Sequence, residues 1–547
     1  MIIAILFWSC KKETKPEPVD PAPVTTYAFS SLKVNGTFNG FTYHGLNNLP
    51  VIKVTFSSPI NSTSIPANVT LTDPSGTLAA FTSTLEDNDN TVVITPSTAL
   101  HPITKYILNV STDLLSKNGN KLQSGITVNL ITAVDDADKF ARIADDALLT
   151  LVQKQTFKYF WDFGHPVSGL ARERETSGDL VTSGGSGFGI MAIVVGVHRQ
   201  FVTRGEAVAR MQRIVGFLKT NVQRFHGAFP HWLNGATGAV IPFSTKDNGA
   251  DLVETSFLMQ GLLTARQYFD GSDPAETALR ADINALWNDV EWNWFRKNNE
   301  DVLYWHWSPN YNWEMNHKIQ GWNEALITYV LAASSNSYSI PKQVYDNGWA
   351  RNGAIRNGNA YFGTSLPLGP DKGGPLFFAH YSFLGINPKG LTDAYSNYET
   401  QNRAHTLINY NYCVSNPKGF AGYSAENWGI TASDDKTGYL AHEPNNDNGT
   451  ISPTAALSSF PYTPEESMKA LKFFYYKLGD KTWGQYGFYD AFNLNETWFA
   501  NSMLAIDQGP IIIMIENHRS GLLWNLFMSC PEIKTGMKTL GFQSPNL

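Results

Sequence analysis

Four acidic side chains occupy positions suited to acid–base chemistry: Glu254, Asp447, Asp179 and Glu426. Cleaving an acetal bond between sugars calls for two carboxyl groups. One protonates the leaving oxygen; the other activates water or attacks the sugar. Glu254 follows Asp251 and precedes Phe257, Leu258, Leu262 and Ala265, an apolar helical face. That spacing predicts a helix capped by Asp251 with Glu254 in its first turn. There the helix end favours the carboxylate, whereas aromatic burial favours the acid. An ordinary dipole-complementing Glu has the same pattern. Asp179 opens a glycine-rich run, Gly178 to Gly189, which reads as a turn before an apolar helix where backbone can approach a ligand. It is not a phosphate loop, because no Lys-Ser/Thr follows. Asp447 and Glu426 fall in Tyr423–Thr450, a stretch without apolar period that reads as a long loop. Asp447-Asn448-Gly449 is equally a simple turn.

Aromatic residues surround these acids. Seven of the fifteen tryptophans lie between Trp287 and Trp322. Indole stacks on the apolar face of a sugar ring, so this density beside carboxylates suggests a carbohydrate cleft; filling of a helical core is the plainer alternative. Arg172, Glu173 and Arg174 would bind hydroxyls or form an ion-pair network among themselves. His306, His317, His380 and His442 lack metal-site spacing, so no metal is expected.

Composition narrows the class. The chain has 547 residues, enough for two or more domains. Apolar content of 42%, aromatic content of 13% and only 16% charged residues fit an ordered, Asn-, Gly-, Ser- and Thr-surfaced protein. A net charge of −7 argues against nucleic acid or an anionic membrane as partner and admits a neutral glycan. Residues 1–10 resemble a bacterial lipoprotein signal ending at Cys10, although the basic leading segment is missing. Cys10 would carry lipid, residues 11–26 would be a tether, and the protein would sit in the bacterial cell envelope as a monomer touching membrane only through that anchor. Cys413 and Cys530 are expected as buried free thiols.

Two domains are expected beyond the tether. Residues 27–134 show short alternating runs such as Ile52–Phe56 and Tyr106–Val110 between Pro, Gly, Asn and Asp turns, the pattern of a small all-β sandwich. With Thr95-Pro96 and Thr104-Lys105-Tyr106 it resembles a bacterial immunoglobulin-like domain, a spacer by default. From 137 to 547 the period is helical, with candidates at 141–154, 187–201, 204–222, 252–269, 274–289, 318–335, 375–385, 392–411, 464–477, 496–507 and 519–528. So many helices with long Gly-, Asn- and Trp-rich connections suit an all-α (α/α)6 toroid.

Four blocks carry a family resemblance: Phe160-Trp161-Asp162 through Arg174; Asp251 through Phe257; Asn427 through Asp434; and Gly487 through Asn493, followed by Ile506 to Pro510. The domain resembles the glucoamylase-like helical-toroid family and is most similar to glycoside hydrolase family 144, the bacterial endo-β-1,2-glucanases. The family pattern has Gly-Pro after Ser433-Asp434, where Asp435-Lys436 stand here, so one rim loop differs. The resemblance implies endo-acting hydrolysis of β-1,2-glucan, inversion at the anomeric carbon and no organic or metal cofactor. Under it, Glu254 is the first acid/base candidate, with Asp447, Asp179 and Glu426 competing as partner, and Asp490 structural. Trp305, Trp307, Trp428 and Tyr439 would stack on glucose units, and Arg172 and His380 would bind hydroxyls, with Glu173 beside them. The alternatives are an exo-acting, disaccharide-releasing enzyme, an α-glucan hydrolase, and a non-catalytic glycan-binding surface protein.

Overall fold

A computed structural model describes residues 26–547, which divide between Ala133 and Val134 into two compact units. The signal, Cys10 and nearly all of the tether lie outside the described residues.

The N-terminal unit is built from β1 (Thr26–Tyr27), β2 (Phe29–Val34), β3 (Thr42–Leu46), β4 (Ile52–Phe56), β5 (Val69–Thr72), β6 (Phe81–Glu86), β7 (Thr91–Pro96), β8 (Lys105–Val110), β9 (Lys121–Leu122) and β10 (Ile126–Thr132). Two four-stranded sheets, β2-β4-β7-β6 and β3-β10-β8-β5, share one apolar core. The period-2 pattern decides which face turns inward. In β4, Ile52, Val54 and Phe56 are buried while Lys53 and Thr55 reach outward. Leu32 and Ile94 join them from the first sheet, and Leu71, Leu108, Val128 and Leu130 from the second. β10 pairs antiparallel with β8 and parallel with β3.

The larger unit is mainly helical: α1 (Asp145–Trp161), α2 (Ser183–His198), α3 (Arg204–Thr220), α4 (Leu252–Tyr268), α5 (Pro274–Asn288), α6 (Leu326–Ser334), α7 (Tyr398–Ser415), α8 (Pro453–Leu457), α9 (Pro464–Lys472), α10 (Ala505–Arg519), α11 (Leu522–Ser529) and α12 (Pro531–Leu540). They sort into two kinds. Residues 183–196 of α2 and 252–265 of α4 are all buried, as is nearly all of α10. Helices apolar on every side must be enclosed by other helices. By contrast, α3 buries one stripe, Ala207, Val208, Met211, Ile214, Val215 and Leu218, and opens with a Thr203–Glu206 capping box. The enclosed helices pack in series, α6 on α4, α4 on α2, α2 on α10 and α10 on α8. The amphipathic ones cover them, with α1 on α10, α12 on α6 and α3 on α5.

The tightest contact joins α2 and α4. A Cβ at Gly187 would lie 2.1 Å from the Phe257 carbonyl oxygen, and one at Gly261 would lie 2.2 Å from the Gly187 oxygen. From Ser183 on the glycine-rich run is therefore helix rather than the ligand-approaching turn expected from sequence; only Gly178–Thr182 is turn and strand. Its glycines serve backbone contact. Gly189 and Gly196 likewise leave room for Phe160 and Phe157 of α1.

Other boundaries differ for physical reasons. The candidate at 496–507 is displaced: Trp498–Phe499 pairs as a strand with Phe492–Asn493, and helix starts only at Ala505. It runs through Pro510 into the fully enclosed stretch Ile511–Ile515. The stretch 375–385 forms two tight 3₁₀ turns, Leu376–Ala379 and Tyr381–Leu384. Only 326–334 of 318–335 is α-helix. α12, opened by Pro531, is additional. Cys413 and Cys530 are buried and free, as expected.

Gly187→Ala should destabilise the protein by about 2 kcal/mol or more, since neither backbone can yield. A thermal melt checks this; a midpoint equal to wild type would contradict the close helix contact.

Candidate active site

A cavity of about 400 Å³ opens among the N-terminal ends of α2, α4 and α10 and the loops around them. Its walls are mostly aromatic: Trp232, Phe243, Phe257, Trp305, Phe377, Tyr381 and Tyr439. Into this lining come Glu173, Glu254, Glu324 and His231.

Glu254 sits where two helix N-termini meet. Asp251 caps α4, its Oδ1 accepting from the N–H groups of Val253 (3.0 Å) and Glu254 (2.9 Å). The Glu254 carboxylate then crosses to α2, where Oε2 accepts from the Gly184 N–H at 2.7 Å and the Thr182 hydroxyl at 3.1 Å. Thr182 is the residue before α2, and its side chain leaves its own helix uncapped to serve this carboxylate. Space for Glu254 exists because residue 184 is glycine: a Cβ there would lie 2.6 Å from Oε2. Burial raises Glu254 above the ordinary carboxylate range, against the pull of His231, the Gly184 N–H and the Thr182 hydroxyl.

His231 links the acids. Its Nδ1 lies 3.1 Å from Asp251 Oδ2, and its Nε2 lies 3.9 Å from Glu254 Oε1. Burial opposes its charge, yet Glu254, Asp251 and Asp247 together push it up to about 9. Asp247, almost fully buried, is raised to about 7 by burial and by Asp251. Trp305 Nε1 donates to Asp251 at 3.3 Å, tying the cavity wall to the cap. His231, Asp247 and Asp251 bring one nitrogen and two oxygens within 4.8 Å of one another, close enough to bracket a cation. The Asp251 oxygen already accepts from His231 and Trp305, so the cluster is a hydrogen-bonded chain.

Glu324 is a further acid of the cavity lining. Removal from water raises it to about 7, with Asp251 and Glu254 adding repulsion. It therefore holds its proton at neutral pH far better than a free glutamate. Along another part of the wall, Arg174 donates to Glu173 (2.9 Å) and to Asp434 (3.0 Å). Asp434 also accepts from Ser502 at 2.5 Å, and its N–H donates to Asp490 at 2.6 Å. Burial raises Asp490 to about 7 and its neighbour Asp507 well above its usual range, so both carboxyls lean toward the protonated form. Asp434 anchors the hairpin Ala432–Asp435/Gly438–Ala441, which carries the half-exposed Tyr439. Asp435 Oδ1 builds its turn, accepting from the N–H groups of Thr437 (2.6 Å) and Gly438 (2.9 Å).

Glu254, Glu173, Trp305 and Tyr439 are thus gathered at one cavity. The remaining candidates lie outside its lining. Asp447 is buried against the hydroxyls of Tyr412 (2.9 Å) and Tyr423 (2.8 Å) and caps its own turn at Gly449, which is structural work. Asp179 is exposed and pairs with His165 at 3.1 Å. Glu426 is exposed in the loop after Tyr423. Arg172 donates to the carbonyls of Gly178 (2.7 Å) and Phe163 (2.8 Å) and packs over the Phe163 ring. His380 is enclosed, 3.0 Å from Ser459 Oγ. Trp428 is fully buried with its N–H on the Glu466 carbonyl. Trp307 packs into the aromatic group of Phe225, His226 and Trp294. Three of the seven clustered tryptophans, Trp287, Trp292 and Trp322, are buried core, and the partly buried Trp294 stacks on His226 at 3.5 Å. Sequence reasoning left Glu324, His231, Trp232, Phe243 and Asp247 without a role. Glu324 and His231 each stand beside a tryptophan-containing stretch, but no spacing rule joins them to Glu254.

Comparison with known proteins agrees with this architecture. The family model described as "Putative glucoamylase" matches residues 316–531, and a bacterial Ig-like domain model matches residues 43–132. An exo β-1,2-glucooligosaccharide sophorohydrolase of Parabacteroides distasonis is 44% identical over 462 residues, covering 79% of this chain and 64% of that protein's length. The chain thus spans under two thirds of that relative. A solved endo-β-1,2-glucanase of Chitinophaga pinensis, in complex with sophorotriose and glucose, is 52% identical with a TM-score of 0.73, over 74% of this chain and 100% of that one. A β-1,2-glucanase structure from P. distasonis is 38% identical with a TM-score of 0.71, over 95% and 73%. The chain belongs to the glucoamylase-like family of glycoside hydrolases in which these β-1,2-glucanases fall, and carries an N-terminal bacterial Ig-like domain.

Proposed function

We propose that this protein hydrolyses β-1,2-glucan from within the chain, with its enclosed helices closing into an (α/α)6 toroid around the cavity. The observation that carries the chemistry is the pair Glu324 and Glu254, two differently held acids lining one aromatic cavity. The Glu324 carboxyl is raised to about 7 by removal from water, with Asp251 and Glu254 adding repulsion. It acts as the general acid and protonates the glycosidic oxygen. Glu254 is steadied by an N–H, a hydroxyl and His231. It acts as the carboxylate that draws a proton from water, and the product forms with inversion. Trp305 and Tyr439 offer faces for glucose rings, and Glu173, held by Arg174, accepts from hydroxyls.

Endo action is favoured by the endo-acting Chitinophaga protein, all of whose solved chain aligns at 52% identity. The exo-acting Parabacteroides relative is less similar and much longer.

Two outcomes are expected. Glu324→Gln should lower kcat on β-1,2-glucan by about 10²–10⁴-fold while binding persists, and the wild-type rate should fall as pH rises through about 7, where the acid loses its proton. An unchanged rate in the variant, or a rate still climbing above that pH, would remove Glu324 from the role. Second, β-1,2-glucan reduced at its end should be cut into a ladder of oligosaccharides. Release of disaccharide alone would make the enzyme exo-acting, and no cleavage at all would leave a glycan-binding protein.

A further inference from the structure

Phe243 is half exposed yet belongs to the cavity wall. Its ring lies flat on His231, centroids 4.3 Å apart and planes 23° from parallel. Its edge meets Trp232 at 4.8 Å. The Phe243 N–H donates to the Asp247 carbonyl at 2.9 Å and the Asp247 N–H to Ser244 at 3.1 Å, so one tight turn carries both the ring and the acid that flank the histidine. Asp247 Oδ2 stands 4.0 Å from His231 Nδ1.

The histidine needs such a partner. Asp251 holds the imidazole at one corner, through Nδ1. With the ring tethered at Cγ and hydrogen-bonded only at Nδ1, its plane can still rock about χ2 within the tolerance of that one bond. Its other nitrogen is 3.9 Å from Glu254, beyond hydrogen-bond reach, so that contact does not fix the plane. A stacked ring does.

We infer that Phe243 is a positioning residue for the hydrolysis: stacked on His231, it fixes the imidazole plane and so keeps Nε2 directed at Glu254. The inference rests on the assignment of Glu254 to the reaction. A ring over a histidine also gains from its π face when the imidazole carries charge, which a leucine of similar bulk cannot supply. The competing role is a sugar platform, because Phe243 lines the cavity and is half exposed.

Three variants on β-1,2-gluco-oligosaccharides decide between these roles. Phe243→Leu keeps apolar cover without the flat ring; it should lower kcat by about tenfold or more with KM within about twofold of wild type, since the loss is one of alignment. Phe243→Tyr keeps the ring and should restore kcat to near wild type. Phe243→Ala should lower kcat at least as far as Leu, again without a matching rise in KM. A raised KM with kcat intact would mark a sugar platform and overturn the inference. So would a leucine variant as active as wild type, or a tyrosine variant as slow as leucine. Absence of turnover by the wild-type enzyme would instead defeat the proposed function itself, so the two failures are distinguishable.

Discussion

The Glu254 carboxylate, enclosed between the first turns of α2 and α4, is the constraint on which the catalytic unit depends. Burying a carboxylate costs several kcal/mol unless donors meet it. Here the Gly184 N–H, the Thr182 hydroxyl and the nearby imidazole of His231 meet it. Each of these has a structural precondition. Gly184 must lack a side chain, Thr182 must forgo capping its own helix, and α2 must touch α4 closely enough for the glycines at 187 and 261 to oppose backbone. The helix contact that stabilises the unit is the same one that brings the acid to its donors.

Around that anchor, the cavity keeps its acids unequal. Burial raises both Glu324 and Glu254, but at Glu254 the Gly184 N–H, the Thr182 hydroxyl and His231 work against that rise. Equal environments would give two carboxyls competing for one proton with no division of labour. Unequal ones make an acid and a base. The Arg174–Asp434–Asp490–Asp507 network does different work. It pins the hairpin that presents Tyr439, and burial holds the Asp490 and Asp507 carboxyls toward their neutral forms, which eases the repulsion between them.

The sequence made local features legible and long-range ones obscure. The helix at Glu254, its Asp251 cap and the Ig-like strand pattern follow from neighbours within a few residues, so periodicity and capping rules reach them. The tryptophan cluster misled because indole serves a core as readily as a sugar. Trp294 stacking on His226 and Trp305 facing the cavity look alike in a string of letters. Asp447 resembled a cleft acid, but its partners are Tyr412 and Tyr423. Glu324 passed unrecognised because what distinguishes it is desolvation by walls remote in sequence. The glycine run looked like loop because glycine is a poor helix former, and only the backbone of α4 shows why helix is retained there.

If Glu324 and Glu254 divide the chemistry, a sugar bond lies between them, and a crystal structure of the Glu324→Gln protein holding a β-1,2-gluco-oligosaccharide would show it. A glycosidic oxygen is then expected within hydrogen-bonding distance of the residue 324 side chain, a water on Glu254 across the ring, and glucose stacked on Trp305 or Tyr439. An oligosaccharide bound with residue 324 and Glu254 both remote from every glycosidic oxygen would contradict that division.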